Sequence, residues 1–139
     1  MKGLTMKTIK VIIEQAEHNY CAYLEGISGF TTIGSTIEEL KANMCEVIKI
    51  MKDECEEHNY EFPEELKGEY ELLYQMDVKS VLEFYTGIFT KAGLERITGI
   101  NQKQLWHYAS GGRRPRPEQA LKIETALHKL GKELLSINL

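Results

Sequence analysis

The chain has 139 residues, of which 42% are hydrophobic, 17 are basic and 21 are acidic. It contains no run of 18 apolar residues and its start lacks the apolar core of a signal peptide, so we expect a cytoplasmic protein that does not enter a membrane. The three cysteines have no metal-like spacing, and Cys55 with His58 forms only one pair, so the sequence predicts neither a metal site nor a cofactor.

Charge is distributed unevenly along the chain. Residues 1–78 hold seven lysines, no arginine and sixteen acidic residues, a net charge of −9. Residues 79–139 hold ten basic and five acidic residues, a net charge of +5. Such asymmetry indicates two surfaces with different partners, of which the basic one suits phosphate groups. We therefore expect two small domains, 1–78 and 79–139.

The first domain is predicted to be α+β, with the element order β-β-β-α-β. Alternating apolar residues predict strands over residues 8–14, 20–24 and 30–33, joined as a β-meander. Thr36 and Glu39 form a capping box that begins a helix, whose apolar stripe extends to Cys55. A loop, a fourth strand over 69–77 and a short connector at Val78 and Lys79 complete the prediction.

Residues 11–50, VIIEQAEHNYCAYLEGISGFTTIGSTIEELKANMCEVIKI, resemble the HicB antitoxin family. The shared pattern is a strand, a tyrosine-bearing strand, a short strand ending in a polar-Gly turn, and a Thr-x-x-Glu helix. The chain departs from it by lacking a proline in the second turn and a Cys-Val before the third strand. The resemblance implies a degenerate ribonuclease-H-like fold without a nuclease site, and a small basic ribonuclease toxin of the HicA type as partner.

An acidic first domain would complement a basic toxin and speed its capture. The candidate toxin contacts are the acids after the middle of the predicted helix and in the following loop: Asp53, Glu56, Glu57, Glu61, Glu64 and Glu65. A two-metal nuclease needs several converging carboxylates. The strand acids Glu14, Glu25 and Glu69 each stand at a strand end, so the sequence predicts that the protein is not an enzyme.

The second domain carries the string FTKAGLERITGINQKQLWHYASGGRRPRPEQALKIETALHKLG, residues 89–131. It predicts a helix over 90–98, a tight turn at Gly99, a second helix capped by Asn101 and ended by Gly111, and a third helix starting at Pro117. This all-α arrangement is similar to the lambda-repressor-like helix-turn-helix family. The resemblance implies that the second helix enters the major groove of double-stranded DNA.

The candidate DNA contacts fall into two groups. The expected base contacts lie on the outer face of the second helix: Gln102, Lys103 and His107, with Gln104 turned partly toward the DNA backbone. The expected phosphate contacts precede and follow that helix: Lys91, Arg113, Arg114 and Arg116. Trp106 has two interpretations, packing at the domain's edge, which is favoured, or lying along a sugar-phosphate strand.

The helices before and after the predicted DNA-reading helix each have one further feature. Glu95 and Thr98 stand where the family has a small and a bulky apolar residue, which predicts a rotated first helix or altered packing. An apolar stripe through the last helix is expected to cover the core in part and to form a homodimer or higher homo-oligomer with the rest. Its members are Leu121, Ile123, Leu127, Leu130 and Leu134, and Ile137 and Leu139 are expected to join the part that contacts the second copy.

These observations lead to one functional hypothesis and two alternatives. The hypothesis is an antitoxin that neutralises a HicA-like toxin and represses its own operon by binding an operator. One alternative is a stand-alone helix-turn-helix regulator whose first domain senses a ligand or a protein. The other is a metal-dependent nuclease that its second domain directs to DNA.

Overall fold

A computed structural model describes residues 6–139; residues 1–5, with which the predicted first domain begins, lie outside the described residues. The chain divides into two compact units, Met1–Met76 and Asp77–Leu139. Within residues 6–139, a four-stranded sheet and five α-helices confirm the predicted α+β class. In the described part of the chain, no helix combines the length and the apolar character that crossing a membrane requires.

The first unit is built on a sheet whose first three strands form the predicted meander. β1 (Lys7–Gln15), β2 (Tyr20–Leu24) and β3 (Thr31–Gly34) pair antiparallel in sequence order. β4 (Tyr70–Met76) pairs parallel with β1, which gives the strand order β3-β2-β1-β4. A parallel strand requires a crossover connection, and a long helix supplies it here.

That crossover is α1 (Ile37–His58), which covers one face of the sheet. The Thr36 side chain accepts from the Glu39 amide at 3.0 Å, and the Glu39 carboxylate accepts from the Ser35 amide at 3.3 Å, so the predicted capping box forms. Alternate strand residues and every third or fourth helix residue meet in the core. Its helix members are Leu40, Met44 and Ile48, and within the predicted loop a short 3-10 turn, Glu64–Leu66, adds Leu66.

The second unit contains four α-helices. They are α2 (Val78–Phe84), α3 (Lys91–Thr98), α4 (Gln102–Ser110) and α5 (Pro117–Leu135), with a short 3-10 turn, Tyr85–Gly87, after α2. The prediction of a connector at Val78 and Lys79 is wrong, because both residues belong to α2. The Asp77 side chain caps this helix by accepting from the Ser80 amide at 2.8 Å, and Leu82 is buried.

The core of the second unit joins all four helices. Its buried members are Leu82, Leu94, Ile100, Leu105, Tyr108, Ala109 and Ile123. The stripe predicted along α5 is only partly internal, since Ile123 is buried and Leu127 packs against it, whereas Leu121 and Leu134 are exposed. The apolar stripe thus extends beyond the core that it helps to form.

Candidate nucleic-acid interface

The helix before the turn, α3, buries Leu94 and Thr98, which lie one turn apart. The buried Thr98 hydroxyl donates to the Leu94 carbonyl at 2.7 Å and accepts from the Ile100 amide at 3.0 Å. Ile97, the apolar neighbour of Thr98, is 36% exposed instead. Thr98 therefore occupies a buried position before Gly99, where hydrogen bonds satisfy its polar group.

Two side chains fix the start of α4 after this turn. Gly99 ends α3 in the left-handed region, with φ 78°. The Asn101 side chain accepts from the Gln104 amide at 2.8 Å, as an N-cap does. The Glu95 carboxylate accepts from the Gln102 amide at 3.1 Å. Glu95 in α3 thus provides the hydrogen-bond acceptor for the first backbone amide of α4.

Opposite faces of α4 have opposite characters. Leu105, Tyr108 and Ala109 are buried, whereas Gln102 and Lys103, in the first turn, are exposed. Exposed amide and ammonium groups at the start of such a helix have the donors and acceptors that base edges require. Gln102 and Lys103 thus lie on the outer face of α4, as their spacing predicts.

The remaining two expected base contacts are less accessible. His107 is half-buried, and its ring lies edge-on to that of Trp106, with centroids 5.2 Å apart. Gln104 is also half-buried, and its amide donates to the hydroxyl of Tyr108 at 2.9 Å. Its side chain is therefore directed along the helix to a core tyrosine. Neither residue presents its side chain as freely as Gln102 or Lys103 does.

Trp106 does not pack at the edge of the unit, so the favoured interpretation is wrong. Its side chain is 56% exposed, on the outer side of α4. Aromatic residues bury most of their area when they serve the core, but here the inward positions of α4 are already taken by Leu105, Tyr108 and Ala109. Helical periodicity leaves Trp106 outside, a result that residue type alone could not indicate.

Three arginines follow α4 in the segment between α4 and α5. Arg113, Arg114 and Arg116 are exposed, and none of the salt bridges within residues 6–139 uses them. The Arg113 amide donates to the His107 carbonyl at 3.2 Å, which ties this segment to α4. Lys91, the first residue of α3, is half-buried. Guanidinium groups without an internal partner are available to bind phosphate.

The six acids predicted to contact a toxin are all exposed in the first unit. Asp53, Glu56 and Glu57 lie near the end of α1, and the other three follow it. Glu64 differs from the rest because its carboxylate accepts from Lys67 at 2.9 Å. This hydrogen bond, with the lysine charge, lowers the pKa of the Glu64 carboxyl. The negative charge of Glu64 is therefore already paired with Lys67.

One group of potential metal ligands occurs within the described residues. The ligand atoms of Glu54, Glu57 and His58 lie within 4.8 Å of one another, on the exposed end of α1. Cys55, which is three residues before His58, is directed elsewhere, since its thiol donates to the Glu61 carbonyl at 3.7 Å. Glu14 lies near the Tyr23 hydroxyl, at 3.3 Å. The group includes none of the strand acids Glu14, Glu25 and Glu69.

Each unit also carries a surface depression. In the first unit, Cys55, Tyr60 and Phe62 line one beside the end of α1. In the second, Ile97 and Leu121 line another between α3 and α5. Comparison of the chain with protein-family models, with curated proteins and with solved structures finds no match in any of the three.

Proposed function

We propose that the second unit is a sequence-specific DNA-binding domain that inserts α4 into the major groove. The observation that carries the proposal is the placement of Gln102 and Lys103, exposed in the first turn of a helix whose other side is buried. Glutamine pairs with adenine N6 and N7, and lysine reaches guanine O6 and N7. The two residues therefore contribute to the choice of the sequence that is bound.

The arginines supply the part of the affinity that does not depend on the DNA sequence. Arg113, Arg114 and Arg116 follow α4, and their backbone is tied to it through the bond from the Arg113 amide to His107. Contacts to phosphates fix the position of a domain on DNA without reading its sequence. Each phosphate that the domain neutralises releases counterions, so binding weakens as salt rises.

The test is selection of binding sites from a pool of random duplexes by the full chain. We expect one sequence motif to be enriched, and the selected duplex to bind about a thousandfold more tightly than unselected duplex at physiological salt. Equal affinity for selected and unselected duplex would contradict sequence reading. Failure to bind either duplex, even at low salt, would contradict DNA binding as a whole.

For the first unit we propose the role of an antitoxin that captures a small basic toxin of the HicA type. The meander of three strands followed by a helix with a capping box has the element order of the pattern on which the HicB resemblance rests, and this order supports the proposal. Five of the six candidate acids form none of the salt bridges found among residues 6–139. An exposed negative surface accelerates association with a basic protein.

The gene neighbourhood and a set of charge reversals test this role. We expect the adjacent reading frame to encode a short basic protein that the chain binds. Replacing Asp53, Glu56 and Glu57 by lysine should then slow association, whereas the same change at Glu17, Glu46 and Glu69 should slow it less. Equal effects would contradict the assignment of the surface, and the absence of any such partner would favour a stand-alone regulator.

We also propose that the chain works as a homodimer or a higher homo-oligomer. Repressors of this type read two half-sites about 34 Å apart, which requires two copies of the reading helix. The end of α5 offers an apolar surface for this contact: Leu134 and Leu135 are exposed, the latter by 87%, and Ile137 follows them. Sedimentation of the full chain measures the number of copies.

A further inference from the structure

Trp106 is an exposed aromatic residue within the face of α4 that the proposed function assigns to DNA. It is the only tryptophan of the chain, and 56% of its side chain is exposed. It follows Gln102 by four residues and Lys103 by three. Residues with these spacings are neighbours on one side of a helix. The indole therefore lies one turn beyond both of the residues that are proposed to read bases.

The contacts of its neighbour restrict where the indole can lie. The His107 ring meets it edge-on, with centroids 5.2 Å apart and planes inclined by 69°. The main-chain carbonyl of His107 accepts from the Arg113 amide and from the Ser110 hydroxyl, both at 3.2 Å, so the backbone that carries this ring is held at the end of α4. Aromatic pairs in this arrangement attract each other. A supported aromatic ring loses little conformational freedom when it binds.

The chemistry of the major groove contains one strongly apolar feature, the C5 methyl group of thymine. We infer that Trp106 contacts a thymine methyl group and thereby helps to determine the sequence that the chain binds, an inference that rests on the proposed function. The deoxyribose is the other apolar surface of DNA. The methyl group fits better, because Trp106 lies beside Gln102 and Lys103, whereas the phosphate-binding arginines lie beyond the end of α4.

Fluorescence provides the first test, since Trp106 is the only tryptophan of the chain. The experiment uses the full chain and the duplex that it selects from a random pool. We expect binding to shift the emission to shorter wavelength and to protect the indole from quenching by acrylamide. Unchanged access of acrylamide in the bound state would overturn the inference, because a tryptophan against a base is shielded from solvent.

Replacing thymine by uracil removes only the methyl group and supplies the second test. In the selected duplex, changing thymines one at a time should weaken binding about fourfold at one or two positions. Trp106→Ala should weaken binding of the unmodified duplex about tenfold and should abolish the difference between thymine and uracil. Persistence of that difference in Trp106→Ala, or its absence in the wild type, would overturn the inference.

Two variants serve as controls. Trp106→Phe keeps an aromatic ring and should retain part of the sensitivity to uracil. Ile88→Ala removes another exposed apolar side chain of the second unit, which is 72% accessible, and should leave the sensitivity to uracil unchanged. If the chain does not discriminate selected from random duplex, the proposed function fails. If it discriminates but uracil has no effect, only the role of Trp106 fails. Because the side chain is exposed, Trp106→Ala should keep the helical circular dichroism of the wild type.

Discussion

The Thr98 hydroxyl donates to the Leu94 carbonyl at 2.7 Å, inside the core of the second unit. The same oxygen accepts from the Ile100 amide, so one side chain links α3 to the turn that leads into α4. Thr98→Val keeps the shape but leaves that amide without a partner. A buried donor left unpaired costs roughly 1–3 kcal/mol, so we expect destabilisation within that range, measured by urea unfolding with Trp106 fluorescence.

Thr98→Ser is the matched variant, because it keeps the hydroxyl and loses only a methyl group. We expect a smaller loss of stability than in Thr98→Val. The opposite order would mean that the threonine is held by its methyl group and that the hydrogen bonds contribute little. Because the only tryptophan lies in the second unit, the fluorescence transition follows the unfolding of that unit.

A second prediction concerns the end of α4. Gly111 has φ 83°, and a Cβ atom there would lie 2.9 Å from the Cε atom of Lys79. A left-handed conformation costs a residue with a side chain roughly 1–2 kcal/mol, so Gly111→Ala should destabilise the second unit by about that amount. Gly112→Ala is the control, since its nearest neighbour would be the Ser110 hydroxyl at 3.4 Å. If urea unfolding shows that Gly111→Ala and Gly112→Ala lose the same stability, the left-handed conformation of Gly111 is not the cause.

A third prediction concerns the first unit, where β3 meets the beginning of α1. A Cβ atom on Gly34 would lie 2.9 Å from the backbone nitrogen of Leu40, which cannot move without displacing the helix. Overpacking of this kind costs roughly 1–3 kcal/mol. We expect Gly34→Ala to lower the midpoint of thermal unfolding followed by far-ultraviolet circular dichroism. An unchanged midpoint would show that α1 can shift to accept the methyl group.

Periodicity and capping residues predicted much of the fold. The meander, α1 and the two helices around Gly99 follow from local patterns, and the structure confirms them with small changes at their ends. The interpretation of Val78 and Lys79 as a short connector is wrong, because α2 begins at Val78. The signal for α2 was present, since Asp77 precedes Val78, Val81 and Leu82 at helical spacing.

Side-chain environments were harder to anticipate than the elements themselves. The exposure of Trp106 depends on which positions of α4 other helices already cover. The orientation of the Gln104 side chain depends on its hydrogen bond to the hydroxyl of Tyr108, one turn further along α4. The role of Thr98 depends on two backbone groups that become its partners only in the folded turn. Sequence spacing indicates which face a residue occupies, but packing determines what it contacts.

A fourth prediction concerns DNA and follows from the different roles proposed for α4, which contacts bases, and for the arginines, which contact phosphates. Lys103 is expected to contact a base, so Lys103→Ala should relax the preference at one position of the selected site. Arg114 is expected to contact a phosphate, so Arg114→Ala should weaken binding to all sequences alike. It should also reduce the slope of the logarithm of the binding constant against the logarithm of salt concentration by about one. Both side chains are exposed, so neither change should disturb the fold.

The most direct test of the central claim is the affinity of these two variants for selected and unselected duplex across a range of salt concentrations. The proposed interface predicts that Lys103→Ala reduces the ratio between the affinities for the selected and the unselected duplex. Arg114→Ala should preserve this ratio and should make the affinity for both duplexes depend less steeply on salt concentration. If both variants weaken the two duplexes by the same factors, α4 does not read sequence, and the proposed arrangement on DNA is wrong.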